Sequence, residues 1–147
     1  MKEETFAYFA VVGEGDHNRI TEIIGVNPTE AFTGGAMIPG RNVSYGSTSW
    51  ILESTLDRNR PLHDCLEEHI ENVISKAETF KDKLEQLRPD YDLFIQCVAR
   101  YLGWNLGFNL SSGLLRRVAN LGLFIDFDLY SLSENEMDAK QDSTPGR

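Results

Sequence analysis

The chain has 147 residues, 14 of them basic and 23 acidic, for a formal net charge of −9; this is the size of one domain able to bury a core without metals or disulfides. Residues 133–147 hold four of the acids and two of the bases, so residues 1–132 keep −7, and a surface this negative repels a phosphate backbone and excludes nucleic acid as an expected partner. A basic protein or a cationic small molecule would instead be steered in.

Thr5 to Val12 alternates as a strand, with Phe6, Tyr8, Ala10 and Val12 on one face and Ala7, Phe9 and Val11 on the other. Apolar residues on both faces suit a central strand. Asp16 is placed to cap a short helix that carries Ile20, Ile23 and Ile24 and stops at Gly25. A brief strand is expected over Thr29 to Thr33. From Gly34 to Gly46 glycines are interleaved with Pro39, Arg41, Asn42, Ser44 and Tyr45, which reads as a long loop. No Gly-Lys-Ser/Thr follows it, so it is not a phosphate-binding loop. Ser47 to Ser54 is the next strand, with Trp50 and Leu52 on one face.

Pro61 to Arg88 predicts one long helix. Leu62, Leu66, Ile70, Val73, Ala77, Phe80, Leu84 and Leu87 recur at steps of three and four. Its acids cluster early and its bases late, complementing the helix dipole; Asn59 is the expected cap and Pro89 the stop. Tyr91 to Tyr101 and Trp104 to Leu110 then look like a hairpin around Leu102-Gly103. Ser111 or Ser112 can cap a last helix with Leu114, Leu115, Val118 and Leu121 inward, ending at Gly122. Leu123 to Tyr130 is the last strand, with Phe124, Asp126, Asp128 and Tyr130 on one face. Beyond Ser133 apolar anchors vanish, which predicts a disordered acidic tail.

The expected fold is therefore α+β over residues 1–132: a single mostly antiparallel sheet in the order β-α-β-β-α-β-β-α-β, with one long and two short helices packed on it. Strand, capped short helix ending in glycine, and strand occur twice, which suggests a pseudo-repeat. No apolar run is long enough to span a bilayer, and Met-Lys-Glu-Glu-Thr lacks the apolar core of a secretion signal, so no membrane association and a cytoplasmic location are expected. Cys65 and Cys97 show no paired framework and read as two buried thiols.

In its order of signals the chain resembles a bacterial family catalogued as domain of unknown function 4279. Ile20, Ile24, Gly25, Pro28 and Thr29 match a helix exit, Trp50 follows the glycine-rich loop, and Leu110, Leu114, Leu121, Gly122, Asp128 and Tyr130 match a closing section. The resemblance implies a fold plan reaching Leu132 and supplies no reaction, cofactor or catalytic residue.

Candidate chemistry is sparse. Asp126 and Asp128 share a strand face and could present paired carboxylates to a divalent cation or for acid and base work. No Asp-rich loop adds ligands, which favours a solvated sheet face or a salt bridge to Arg100. Cys65 and His69 lie four apart, a metal-ligand spacing with no second pair, so a packed histidine is the expected reading. No Gly-x-Ser-x-Gly elbow marks a serine hydrolase. The strongest binding feature is composite: Arg41 and Tyr45 on the long loop, next to Trp50 and the polar face of Asn105 and Asn109. These observations lead to an acidic, non-enzymatic protein-interaction module, immunity-like or regulatory, without cofactor or metal and with a basic protein partner. The alternative is a small-molecule-binding or hydrolytic domain with a pocket under the 34–46 loop that uses Asp126, Asp128 and Arg41. Exposed sheet edges would also permit a homodimer.

Overall fold

The alternation over Thr5 to Val12 is realised as β1, Glu4–Gly13, in the computed structural model, which describes residues 2–103 and 107–132. The helix α1 is His17–Ile24; Asp16 accepts from Asn18 N at 2.9 Å and Gly25 closes it at φ 78°. Two strands follow, β2 (Glu30–Phe32) and β3 (Thr48–Glu53). Between them the expected irregular loop folds back on itself as a small finger held by one isolated bridge. Met37 bridges Ser44, and Arg41 N donates to Ile38 O at 3.0 Å across Pro39-Gly40. With Gly40 at φ 75°, proline then glycine is the residue pair of a type II turn.

The long helix is divided. The chain forms α2 (Leu62–Glu78), bends at Thr79 and Phe80, and resumes as α3 (Lys81–Leu87). At the bend Thr79 Oγ1 donates to Lys76 O at 2.6 Å, while Phe80 adopts φ −124°, ψ 31° and packs its ring 5.9 Å from Phe9. A side-chain hydroxyl bonded to the preceding turn is a local cause of such a break, and a ring drawn into the core is a long-range one. Asn59 does not cap α2: its backbone N–H donates to Asp57 Oδ1 in a turn, and Pro61 occupies the cap position.

The remaining elements are β4 (Tyr91–Leu102), α4 (Ser112–Asn120) and β5 (Phe124–Leu132). Ser111 caps α4 through Leu114 N at 3.2 Å. The expected hairpin after Tyr101 is corrected. Residues 107–110 form no strand, and Trp104 to Leu106 lie outside the described residues, as does the tail at 133–147. Both edges of β4 are already used, by β1 on one side and β5 on the other, and Gly107 and Asn109 have weak strand preference.

The five strands make one sheet in the order β2-β3-β1-β4-β5. The sheet is mixed rather than purely antiparallel, because β5 lies parallel to β4, from Phe94 opposite Phe124 to Leu102 opposite Leu132. The intervening segment with α4 is the long crossover a parallel pair requires. The two strand-helix-strand sections differ in pairing: β4 and β5 are neighbours, whereas β3 separates β1 from β2.

All four helices cover the same sheet face. Ile20 and Ile24 of α1, Leu66, Ile70, Val73 and Ala77 of α2, Leu84 and Leu87 of α3, and Leu114 and Val118 of α4 join one core. From the sheet that core takes Ala7, Phe9 and Val11 of β1, Trp50 of β3, and Leu93, Ile95 and Cys97 of β4. No helix among the described residues is long and apolar enough to cross a membrane.

Candidate functional site

Alternation sends the other half of each strand to the face without helices. The register aligns these side chains in rows: Glu30, Ile51, Ala10, Phe94 and Phe124 form one, and Glu53, Tyr8, Gln96 and Asp126 the next. Phe94 and Phe124 stack at 5.0 Å, and Phe6 and Tyr8 at 6.3 Å. Phe124 remains 55% exposed and Tyr130 49%, so the aromatic floor is open to solvent.

Charge is distributed unevenly over this face. At one end Arg58 pairs with Glu4 at 2.9 Å and Glu53 at 3.2 Å, with its guanidinium 3.7 Å above the Phe6 ring. Arg100 pairs with Glu4 at 2.6 Å and lies 5.5 Å over Tyr130. That end is neutralised. Across the rest, Glu30, Asp92, Asp126 and Asp128 are exposed and take part in no ion pair among the described residues. Tyr8 lies among them, and its phenol is pushed above its ordinary value by burial and then by Asp128, Asp126, Glu30 and Glu53. A negative field over an aromatic floor suits a cation, which gains both Coulomb attraction and the π face.

The residues expected to form a composite site are dispersed. Asp126 and Asp128 lie on the helix-free face, and Arg100 turns to Glu4 instead of either of them. Tyr45 stacks on Phe32 at 4.1 Å, and Phe32 shares that face at the opposite edge, four strand spacings or roughly 19 Å from β5. Arg41 is exposed at the tip of the finger, and Asn109 is exposed in the segment before α4. Asn105 lies outside the described residues. Trp50 faces the other way: it is fully buried in the helix-side core, its Nε1 donating to Thr21 Oγ1 at 3.0 Å and its ring set edge-on to Phe9. A side chain with no exposed surface cannot contact a partner in this conformation.

Phe6, Tyr8, Phe94 and Phe124, with Glu30 and Asp92, were not distinguishable as a site by alternation alone. The signal was present in β5, where Phe124, Asp126, Asp128 and Tyr130 oppose Ile125 and Phe127. Recognising the site required the pairings that place β1 and β4 beside that face.

Among the described residues Cys65 and His69 join no group of three or more potential metal ligands. His69 is fully buried; its Nδ1 lies 2.5 Å from Ser54 Oγ and its Nε2 3.2 Å from Asp57 O. Nε2–H donating to the carbonyl leaves Nδ1 to accept the serine hydroxyl, so the imidazole is neutral and pins residues 54–57 to α2. Burial lowers its pKa, against the raising effect of the Asp57 carbonyl. Cys65 donates to Pro61 O at 3.2 Å, and burial, with a smaller contribution from Asp126, pushes Cys97 up to about 12. Both thiols are buried and neither forms a disulfide among the described residues.

A groove of about 930 Å³ opens on the helix side, between α2 and the end of β3, with Leu52, Leu56 and Phe80 at its floor. None of its lining residues belongs to the 34–46 segment.

The chain matches the family described as "Domain of unknown function (DUF4279)" over residues 3–132, and it belongs to that family. No curated protein and no solved structure matches it.

Proposed function

We propose that this member of the DUF4279 family is a non-enzymatic protein-interaction module, immunity-like or regulatory, that takes a basic protein onto the helix-free face of its sheet. The observation that carries the reading is the aromatic floor of half-buried Tyr8 and Phe94 and exposed Phe124, beside carboxylates that take part in no ion pair among the described residues.

The scale of the face supports a macromolecular partner. Five strands across and ten residues along β1 give roughly 19 by 30 Å, on the order of 600 Å². That approaches the ~800 Å² which each partner contributes to a standard interface. Its sign supports a basic partner, because face-to-face pairing of two copies would oppose Asp126 and Asp128 with like charges. Two buried cysteines without a disulfide among the described residues suit a reducing cytoplasm.

Parallel pull-downs from cell extract with the wild type and an Asp126→Asn/Asp128→Asn variant, at low and moderate salt, test the reading. A basic protein retained by the wild type, weakened by salt and lost from the variant is the expected result. Equal retention by both, or retention independent of salt, would refute it.

A further inference from the structure

The helix-side groove has a charged rim around an apolar floor. Val26, Leu52, Leu56 and Phe80 supply its apolar surface, and Arg60, Glu68, Glu71 and Lys76 its charges. Each rim carboxylate faces a guanidinium: Glu68 pairs with Arg60, and Glu71 pairs at 2.5 Å with Arg117, which it shares with Glu78. Lys76 is different. Its Nζ donates to Glu53 O at 2.9 Å and joins no ion pair among the described residues.

We infer that the groove between α2 and β3 binds a small amphiphilic anion, an apolar body carrying one carboxylate, with the carboxylate on Lys76 and the apolar part over Leu52, Leu56 and Phe80. The site is separate from the helix-free face and independent of the reading given for it. Its volume of about 930 Å³ falls in the range of roughly 300–1,000 Å³ usual for small-ligand sites. An ammonium with two of its donor positions unused among the described residues is able to take a carboxylate oxygen without giving up its bond to the Glu53 carbonyl. Lys76 is the rim charge that joins no ion pair among the described residues, so an anionic ligand gains a partner there and an ammonium ligand would meet a like charge. Desolvation holds the Lys76 pKa below its ordinary value, with no carboxylate among its causes. A carboxylate ligand would raise it again.

Decanoate is the probe, titrated into the full ¹⁵N-labelled chain below its micelle concentration and at physiological salt, with decanol and decyltrimethylammonium alongside. Saturable amide shifts at Val26, Leu52, Leu56 and Phe80 are expected for decanoate. Lys76→Gln, which retains a donor for the Glu53 carbonyl, is expected to weaken decanoate by about tenfold and leave decanol unchanged. Leu56→Glu, placing a carboxylate at the half-buried floor, is expected to abolish decanoate binding. The inference is overturned if decanoate gives no saturable shifts, if decyltrimethylammonium binds as tightly, or if Leu56→Glu binds like the wild type. It is equally overturned if folded Lys76→Gln retains full affinity; should that variant not fold, the Leu56→Glu and ligand-charge comparisons decide.

Discussion

Replacing Trp50 by Ala separates a core indole from a contact surface. The side chain has no exposed surface, meets Phe9 at a centroid distance of 6.1 Å and donates to Thr21 Oγ1 at 3.0 Å. Truncating a buried Trp to Ala costs about 3–5 kcal/mol, which combines lost transfer energy and the cavity left behind. Against a folding stability of roughly 5–15 kcal/mol, that is a large fraction. At about 2–4 °C per kcal/mol for a chain of this size, a central cost of ~4 kcal/mol lowers Tm by about 8–16 °C. Trp50→Phe keeps most of the apolar volume and loses the N–H, so about 1–2 kcal/mol is expected. Far-ultraviolet circular dichroism, by heat and by urea, is the assay, because Trp104 complicates fluorescence. A Trp50→Ala protein that melts within ~3 °C of the wild type would refute the core assignment and restore Trp50 as a surface candidate.

Two further outcomes follow from the buried groups. The folded His69 pKa is lowered from 6.5, so the unfolded chain binds the extra proton first as pH falls. Its stabilising contribution is complete above about pH 6.5 and is lost below it until the depressed folded value is reached. Urea midpoints measured from pH 8 to pH 5 should therefore fall below neutrality in the wild type, with a shallower fall in His69→Gln; identical slopes would contradict the buried neutral imidazole. With Cys97 pushed up to about 12 and Cys65 fully buried, neither thiol should react with a thiol reagent at pH 8 until the protein unfolds. Prompt labelling of either in the folded state would place it at the surface.

The local elements were legible because their causes are local. Asp16 and Ser111 accept the N–H groups they were expected to accept, and Gly25 ends α1 in the left-handed conformation that glycine adopts without penalty. The inward stripe from Leu62 to Leu87 is buried throughout, although the helix carrying it bends. That bend depends on Phe80 reaching Phe9, a contact between residues far apart in the chain. Composition could not anticipate it.

Of the candidate site, Asp126 and Asp128 were visible because they alternate with apolar residues on one strand. Their relation to Tyr8, Phe94 and Glu30 was hidden. Period two divides a strand into two faces but does not say which face helices will cover or which strand will lie alongside. For β1, apolar on both faces, alternation left the choice open, and the packing of the helices onto the sheet face that carries Ala7, Phe9 and Val11 decided it. The parallel placement of β5 was likewise a matter of free edges: β1 had taken one side of β4, and the crossover through α4 delivered β5 to the other. Sequence by itself determined where the helices and most strands form, because caps, turns and periodicity act over a few residues. Tertiary structure alone decided which carboxylates share a surface and lack a cation, since charge pairing depends on neighbours brought together from opposite ends of the chain.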